Sequence, residues 1–301
     1  SWDAGTVFIK ATCSDSGAKL YTCTCGAQNI ELVQKLAHGA AKADTAMYIG
    51  DESLYDVCSV CGESLGTVSS LDSTTLKNLI ISDSVTSIGK ETFKKYSALE
   101  SVTIPSSVTS IGDRAFEGCS SLTSVEIPNS VTSLGFYIFY ECSSLKSVTL
   151  QGTFTYLPTA IFYKCSNLES VILPNPVKSI GYSAFQQCYK LTTITIPSSV
   201  IRIQQDAFKT CTGLTSIEIP SGVTTIEKNV FVDCTGLKSV TIPSTVTSIQ
   251  EYLFYNCTSL ATINFGGTTA EWKALADAAT AVSTNWKKNV KSSCQVICSD
   301  G

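Results

Sequence analysis

The stretch Leu122-Thr-Ser-Val-Glu-Ile-Pro-Asn-Ser-Val-Thr-Ser-Leu-Gly135 contains the pattern that decides the fold. The spacing of Leu122, Val125 and Ile127 directs three apolar side chains to one side of an extended segment, while the residues between them face outward. This spacing is typical of the strand in a leucine-rich coil. Pro128 then ends the strand. A second, shorter extended piece follows before Gly135.

The pattern recurs at one constant period, equal to the step from Cys119 to Cys142, without insertions or deletions. Phenylalanine precedes each marker cysteine by three residues and leucine follows it by three; a first copy has Tyr96 in the cysteine position. Each unit has one apolar side that it cannot bury alone, so successive coils must stack with their strands parallel. The marker cysteines are Cys119, Cys142, Cys165, Cys188, Cys211, Cys234 and Cys257.

The repeat predicts an α/β leucine-rich repeat solenoid, right-handed, with 23-residue coils and parallel strands. The Ala, Phe and Cys positions are spaced as one helical turn, which we expect to close each coil. We expect Phe, Leu and Cys to be buried in every complete coil. Parallel cysteines in register have Cβ atoms about 4.8 Å apart, beyond the separation of about 3.5–4.5 Å that a disulfide prefers. The marker cysteines are therefore predicted to be buried free thiols.

The composition excludes several classes of function. Charged residues make up 15% of the chain, against about 25% in an average globular protein, and the net charge is −4. Mild acidity provides no electrostatic footprint for nucleic acid, and no apolar run is long enough to insert into a membrane. His38 is the single histidine, which removes most histidine-based catalysis. No nucleophile with an activating base and no carboxylate pair in a cleft is visible, so we expect no enzyme.

The string Ile-Pro-x-x-Val-x-x-Ile-Gly-x-x-Ala-Phe-x-x-Cys-x-x-Leu closely resembles the BspA-like leucine-rich repeat of bacterial surface proteins. The resemblance covers about residues 74–265. It implies an extracellular or cell-surface scaffold without catalysis, which binds a protein or glycan ligand on host or neighbouring cells as part of an adhesin. A passive structural spacer in a large surface protein is the alternative. The sequence leaves the ligand and the oligomeric state open.

The flanks of the array predict three parts: a small cysteine-containing module at 1–73, the solenoid at 74–265 and a capping segment at 266–301. Thr268 and Glu271 have the spacing of a capping box, and the apolar residues after them recur at helical intervals. We expect this helix to cover the end of the solenoid core. Cys294 and Cys298, four residues apart in the tail, could form a disulfide if that segment bends.

The N-terminal module contains candidate metal ligands. Cys58-Ser-Val-Cys61-Gly has the spacing of a zinc knuckle, whereas Cys23-Thr-Cys25 is one residue shorter than that spacing. Zinc is therefore a candidate ligand of this module. We expect no cofactor in the repeat array. Disulfides and unpaired thiols remain open alternatives. The candidate ligands are Cys23, Cys25, Cys58 and Cys61, with Cys13 and His38 as further members of the set.

Aromatic residues are concentrated at the variable outward positions of three consecutive coils. Tyr140 and Tyr163 occupy the same position one coil apart and are predicted to stack, and Phe136 and Tyr182 share another position two coils apart. Such rings on a rigid surface form protein hot spots and sugar-stacking platforms. The alternative is that they cover an irregular coil, in which Gln151 replaces the usual proline. The predicted ligand-binding residues are Phe136, Tyr137, Tyr140, Tyr156, Tyr163, Tyr182 and Tyr189.

Overall fold

The computed structural model describes residues 6–7, 17–22, 28–33 and 73–301, except 75, 82, 84 and 284. It contains twenty strands and one helix in these ranges. The strands are β1 (Thr6–Val7), β2 (Gly17–Thr22), β3 (Gln28–Val33), β4 (Asn78–Ile80), β5 (Ser87–Ile88), β6 (Ser101–Thr103), β7 (Ser110–Ile111), β8 (Ser124–Ile127), β9 (Ser133–Leu134), β10 (Ser147–Leu150), β11 (Tyr156–Leu157), β12 (Ser170–Ile172), β13 (Ser179–Ile180), β14 (Arg202–Ile203), β15 (Ser216–Glu218), β16 (Thr225–Ile226), β17 (Ser239–Ile242), β18 (Ser248–Ile249), β19 (Thr262–Phe265) and β20 (Gln295–Ile297); helix α1 is Thr269–Val282.

The repeats form the predicted solenoid of parallel strands. With one exception, each coil from β4 to β18 contributes one strand of three or four residues to a first sheet and a two-residue strand to a second sheet. Partners in neighbouring coils are one repeat period apart, as in the pairing of Val125 with Val148. The first sheet runs from β4 to β12 and, after one coil without an assigned strand, from β15 to β20. At its N-terminal side β3 pairs in parallel with β4, and the antiparallel strands β2 and β1 follow.

Stacked side chains fill the interior, as predicted. The repeated phenylalanines from Phe93 to Phe254 are fully buried, and so are the seven marker cysteines and the leucines from Leu99 to Leu260. Neighbouring phenylalanine rings lie nearly parallel with centroids 5.2–5.9 Å apart. The core is therefore a continuous ladder, in which each rung contacts the rung before it and the rung after it.

The predicted helical turn at the end of each coil is wrong. The segment from Glu91 to Leu99 forms consecutive β-turns, with Lys94 N–H donating to the Glu91 carbonyl. The residues five and one before the cysteine position, such as Glu91 and Lys95, have left-handed φ angles of 58° and 63°. The physical reason is that alternate N–H groups bond to the next coil: Phe93 N–H donates to the Ala115 carbonyl. A helical turn would keep those donors within its own coil.

The hydroxyl groups of the array connect successive coils. Thr109 Oγ1 donates to the Thr86 carbonyl at 3.1 Å, and Thr132 Oγ1 donates to the Thr109 carbonyl at 3.3 Å. Ser130 Oγ bonds to the Val108 carbonyl at 2.7 Å in the same way. The Thr86 and Thr109 carbonyls also accept a backbone N–H from the next coil, so each hydroxyl adds a second bond between the same two coils. The abundance of Ser and Thr therefore has a structural function as well as making the surface polar.

The second sheet is interrupted between β9 and β11, in the coil that lacks the usual proline. There Phe154 fills the buried position that valine occupies in the coils before and after it. Gly152 provides the space, because a Cβ at Gly152 would lie 2.5 Å from the Phe154 ring and from the Val131 carbonyl oxygen. The larger core residue and the glycine thus compensate each other, while β11 keeps the usual register with β13.

Helix α1, Trp286 and β20 together close the C-terminal end. The capping box is confirmed, since Glu271 N–H donates to Thr268 Oγ1 and the Glu271 carboxylate accepts from Thr268 N–H. The helix packs beside β18, with Leu275 and Ala279 buried. Strand β20 pairs with β19, so the first sheet continues beyond Phe265. The segment before β20 adds a last turn to the coils, and the cap consists of more than the predicted helix.

Candidate functional site

The turn segments place variable side chains along one edge of the solenoid. In the coil of Cys142, the left-handed residues Tyr137 and Glu141 have φ angles of 59° and 61°. The buried Ile138 and Phe139 lie between them, so the residues on either side of this pair project outward. We define the aromatic edge as Phe136, Tyr137, Tyr140, Tyr163 and Tyr182, which occupy such positions in successive coils.

Three tyrosines of the aromatic edge form a continuous cluster. The Tyr140 and Tyr163 ring centroids lie 5.2 Å apart, so the two residues are in contact across one coil as predicted, but the rings are tilted by 37° and do not stack in parallel. Tyr137 meets Tyr140 edge to face at 5.8 Å. The guanidinium carbon of Arg114 lies 5.0 Å from the Tyr137 ring centroid. Each of these three rings is half-buried and keeps part of its surface exposed.

Lys164 occupies the centre of this cluster. Its ammonium group lies 5.2 Å from the Tyr140 ring centroid and 5.5 Å from that of Tyr163. It donates to Glu141 Oε1 at 2.8 Å and to the Tyr140 hydroxyl at 3.1 Å. The hydrogen bond with Glu141 raises the pKa of Lys164, and the same bond lowers the pKa of Glu141. Sequence reasoning missed this ion pair, although the two residues are one period apart.

The two most exposed rings of the aromatic edge are Phe136, which directly precedes Tyr137, and Tyr182, which lies in the coil after that of Tyr163. Phe136 is 47% exposed and Tyr182 is 43% exposed. At each ring residue, the backbone N–H is bonded to a side chain of an adjacent coil. Phe136 N–H donates to Asp113 Oδ1 at 2.8 Å, and Tyr182 N–H donates to Gln204 Oε1 at 3.1 Å. Both rings are therefore presented from a fixed backbone, which reduces the entropy lost when a ligand binds.

The remaining predicted ring residues have other positions. Tyr156 belongs to β11, and its hydroxyl lies 3.4 Å from Thr159 Oγ1. Tyr189 is 41% exposed but directly follows its marker cysteine, so it lies after the positions that form the aromatic edge. No contact connects Tyr189 to the tyrosine cluster among the described residues.

A second tyrosine pair repeats part of this geometry near the C-terminus. Tyr252 and Tyr255 occupy the same positions as Tyr137 and Tyr140, and their centroids lie 5.7 Å apart, edge to face. Arg114 and Lys164 have no counterpart at this pair among the cation–ring contacts of the described residues. The pair therefore provides a matched control for the aromatic edge.

The marker cysteines act as hydrogen-bond donors within the core. Each thiol donates to the carbonyl of the phenylalanine in the preceding coil, at 3.0–3.3 Å. The Phe116 carbonyl, for example, accepts from the Cys119 N–H and from the Cys142 thiol. Burial raises the pKa of Cys211 and of Cys257 to about 12. All seven are free thiols, as predicted, and their function is to bridge coils.

We expect these seven thiols to resist modification in the folded protein, because all seven are fully buried and a reagent must reach the sulfur to react with it. In native buffer, alkylation followed by peptide mass spectrometry should label Cys119 to Cys257 far more slowly than Cys294 and Cys298, which are half-buried. Denaturation should equalise the rates. Fast native labelling of several marker cysteines would contradict their inward orientation.

The predicted metal ligands lie outside the described residues: Cys23, Cys25, Cys58 and Cys61, with Cys13 and His38. The described part of the chain contains no group of three or more His, Cys, Asp or Glu side chains able to hold a metal ion. Cys294 and Cys298 are free thiols at opposite ends of β20, and the extended strand between them keeps them apart.

Within the described residues, no helix has both the length and the apolar character needed to cross a membrane.

The family model of the BspA type leucine-rich repeat region matches residues 68–192 and 178–292, with six copies. No curated protein matches the chain.

Several solved bacterial structures are similar to the chain. A leucine-rich repeat protein from Bacteroides ovatus is 22% identical, with a TM-score of 0.57 over 98% of this chain and 79% of the other. The pneumococcal vaccine antigen PcpA is 22% identical, with a TM-score of 0.49 over 76% of this chain and 69% of the other. A leucine-rich cell surface protein from Faecalibacterium prausnitzii is 23% identical, with a TM-score of 0.32 over 86% and 96%. The first of these supports the solenoid fold.

Proposed function

The chain belongs to the BspA-type leucine-rich repeat family, and from this we propose that it is the binding region of a bacterial cell-surface or secreted adhesin. Solenoids of this kind are generally non-enzymatic scaffolds whose extended surface binds a partner. The proposed partner is a protein or glycan on host or neighbouring cells. The aromatic edge is the observation that supports this function.

The chemistry of the aromatic edge fits a binding surface. Tyrosine and phenylalanine contribute a large contact area with few rotatable bonds, and they are enriched where binding energy is concentrated. Phe136 and Tyr182 expose nearly half of their surface on a backbone fixed by stacked coils. The cations that contact rings of the aromatic edge are already paired, since Lys164 bonds to Glu141 and Arg114 bonds to Glu117. Ring contact, and not net charge, would therefore provide most of the affinity.

A passive spacer is the second candidate, and the contacts of Lys164 favour it. Tyr140 and Tyr163 pack on this lysine, so part of their surface already stabilises the array. In a spacer the rings would do no more than cover the irregular coil of Gly152 and Phe154.

Mutation of the exposed rings distinguishes the two candidates. Changing Phe136 and Tyr182 to Ser should reduce capture by immobilised host matrix proteins or by glycans on an array by roughly 1,000-fold, since two hot-spot rings contribute about 2 kcal/mol each and about 1.4 kcal/mol is tenfold in affinity. Surface plasmon resonance measures the capture. The melting temperature should remain nearly unchanged, because both rings are exposed. Changing Tyr140, Tyr163 and Tyr182 together to Ser should abolish capture, with a larger fall in melting temperature from the lost packing on Lys164.

The matched control is Tyr252→Ser with Tyr255→Ser, which removes two rings from the same positions of another coil. This variant should bind as the unchanged protein does. Equal loss in both variants would locate the function outside the aromatic edge. If the unchanged protein captures no probe, or if the serine variants unfold while Tyr-to-Phe variants bind normally, the rings are structural and the spacer is favoured.

A further inference from the structure

A cavity of about 210 Å³ opens in the C-terminal cap. Its apolar lining includes Ile263, Trp272, Trp286 and Val296, and Lys287 and Lys291 also line it. Trp272 and Trp286 meet edge to face with centroids 6.3 Å apart. The wall therefore combines aromatic and aliphatic surfaces, which suit a flat apolar group.

The two lysines give this cavity a positive charge without a compensating acid. Lys287 Nζ lies 5.1 Å from the Trp286 ring centroid. Among the described residues, neither Lys287 nor Lys291 forms a salt bridge, whereas Lys273 on the adjacent helix pairs with Asp277 at 2.6 Å. In a chain of net charge −4, two unpaired cations beside one cavity form a local site for an anion.

The other polar lining groups do not neutralise these lysines. Ser292 contributes a hydroxyl, and Cys294 contributes a half-buried thiol. Burial raises the pKa of Cys294, and the charge of Lys287 opposes that shift in part. A thiol with a raised pKa is neutral near pH 7. The lining residues thus include two cations and no carboxylate.

We propose that this cavity binds a small organic anion with a flat apolar body, of the class of aromatic carboxylates. The ring packs between Trp272 and the aliphatic wall of Ile263 and Val296, and the carboxylate bonds to the ammonium groups of Lys287 and Lys291. Charge-assisted hydrogen bonds are about twice as strong as neutral ones. An uncharged ring compound of the same shape gains only the apolar contact. The cavity lies in the cap, and this binding does not depend on the aromatic edge.

Benzoate and its neutral analogue benzamide test the proposal directly. Isothermal titration of the whole chain should show benzoate binding at least about tenfold more tightly than benzamide, as expected for one or two charge-assisted bonds. Saturation-transfer NMR should show contact between the benzoate ring protons and the protein. Changing Lys287 and Lys291 to Gln should remove the preference for benzoate and leave weak, equal binding of both compounds.

Lys288→Gln is the matched control, because Lys288 is exposed, carries the same charge in the same segment and does not line the cavity. It should retain the full preference for benzoate. Equal binding of benzoate and benzamide to the unchanged protein would overturn the proposal, and so would the absence of binding by either. An equal loss with Lys288→Gln would show that only general charge attracts the anion, which also overturns it.

Discussion

Replacing Phe185 with Ala is expected to lower the free energy of unfolding by about 3–5 kcal/mol. The ring is fully buried and stacks on Phe162 at 5.5 Å and on Phe208 at 5.2 Å. Removal of the ring leaves a cavity between Phe162 and Phe208, and each of these two rings loses the contact on one of its faces. The stacked coils are held at a fixed separation by hydrogen bonds on several sides, so neighbouring side chains cannot easily refill the space.

Chemical denaturation followed by circular dichroism measures this loss. Phe185→Leu keeps most of the volume and should cost less than about 1.5 kcal/mol. Tyr182→Ala, three residues away on the surface of the same coil, should change stability by no more than about 0.5 kcal/mol. A loss below about 1 kcal/mol for Phe185→Ala would contradict the ladder, because a buried ring must cost more than that.

Replacing Trp286 with Ala is expected to have a similarly large effect, but one confined to the C-terminal end. Trp286 is 1% exposed, and its centroid lies 6.4 Å from that of Phe254, so it is the last rung of the phenylalanine ladder. Its carbonyl accepts from Phe254 N–H, and its indole N–H donates to Thr280 Oγ1 at 3.1 Å. Loss of the ring should destabilise the cap by about 3–5 kcal/mol.

Hydrogen exchange with peptide resolution measures this effect. In a solenoid each coil contacts only its neighbours, so an end mutation should open the end first. Exchange should accelerate over α1 and β20 and remain nearly unchanged in the coils before Cys211. Trp286→Phe preserves a ring against Phe254 and removes only the indole bond, so its effect should be much smaller. Uniform acceleration along the whole array would contradict a local capping function.

The sequence alone was sufficient to predict the core. An unbroken repeat period, with Phe, Cys and Leu at constant spacing, allows only an arrangement in which each position stacks on its equivalent. The same counting predicted that Tyr140 contacts Tyr163, because equivalent residues of adjacent coils are neighbours. The capping box of Thr268 and Glu271 was also visible, since it depends on residues three apart in the chain.

Other features depend on contacts between neighbouring coils, and only the tertiary structure decided them. Two residues of each turn segment adopt left-handed φ angles, and no helical turn forms, because alternate N–H groups bond to carbonyls of the next coil. The pairing of Lys164 with Glu141 follows from the outward direction that these left-handed positions give to their side chains. Trp286 completes the ladder after an interval longer than one repeat period, in which α1 replaces a strand, so no periodicity could reveal it. Local spacing specifies what is buried, whereas contacts between coils specify backbone conformation, ion pairs and the closure of the end.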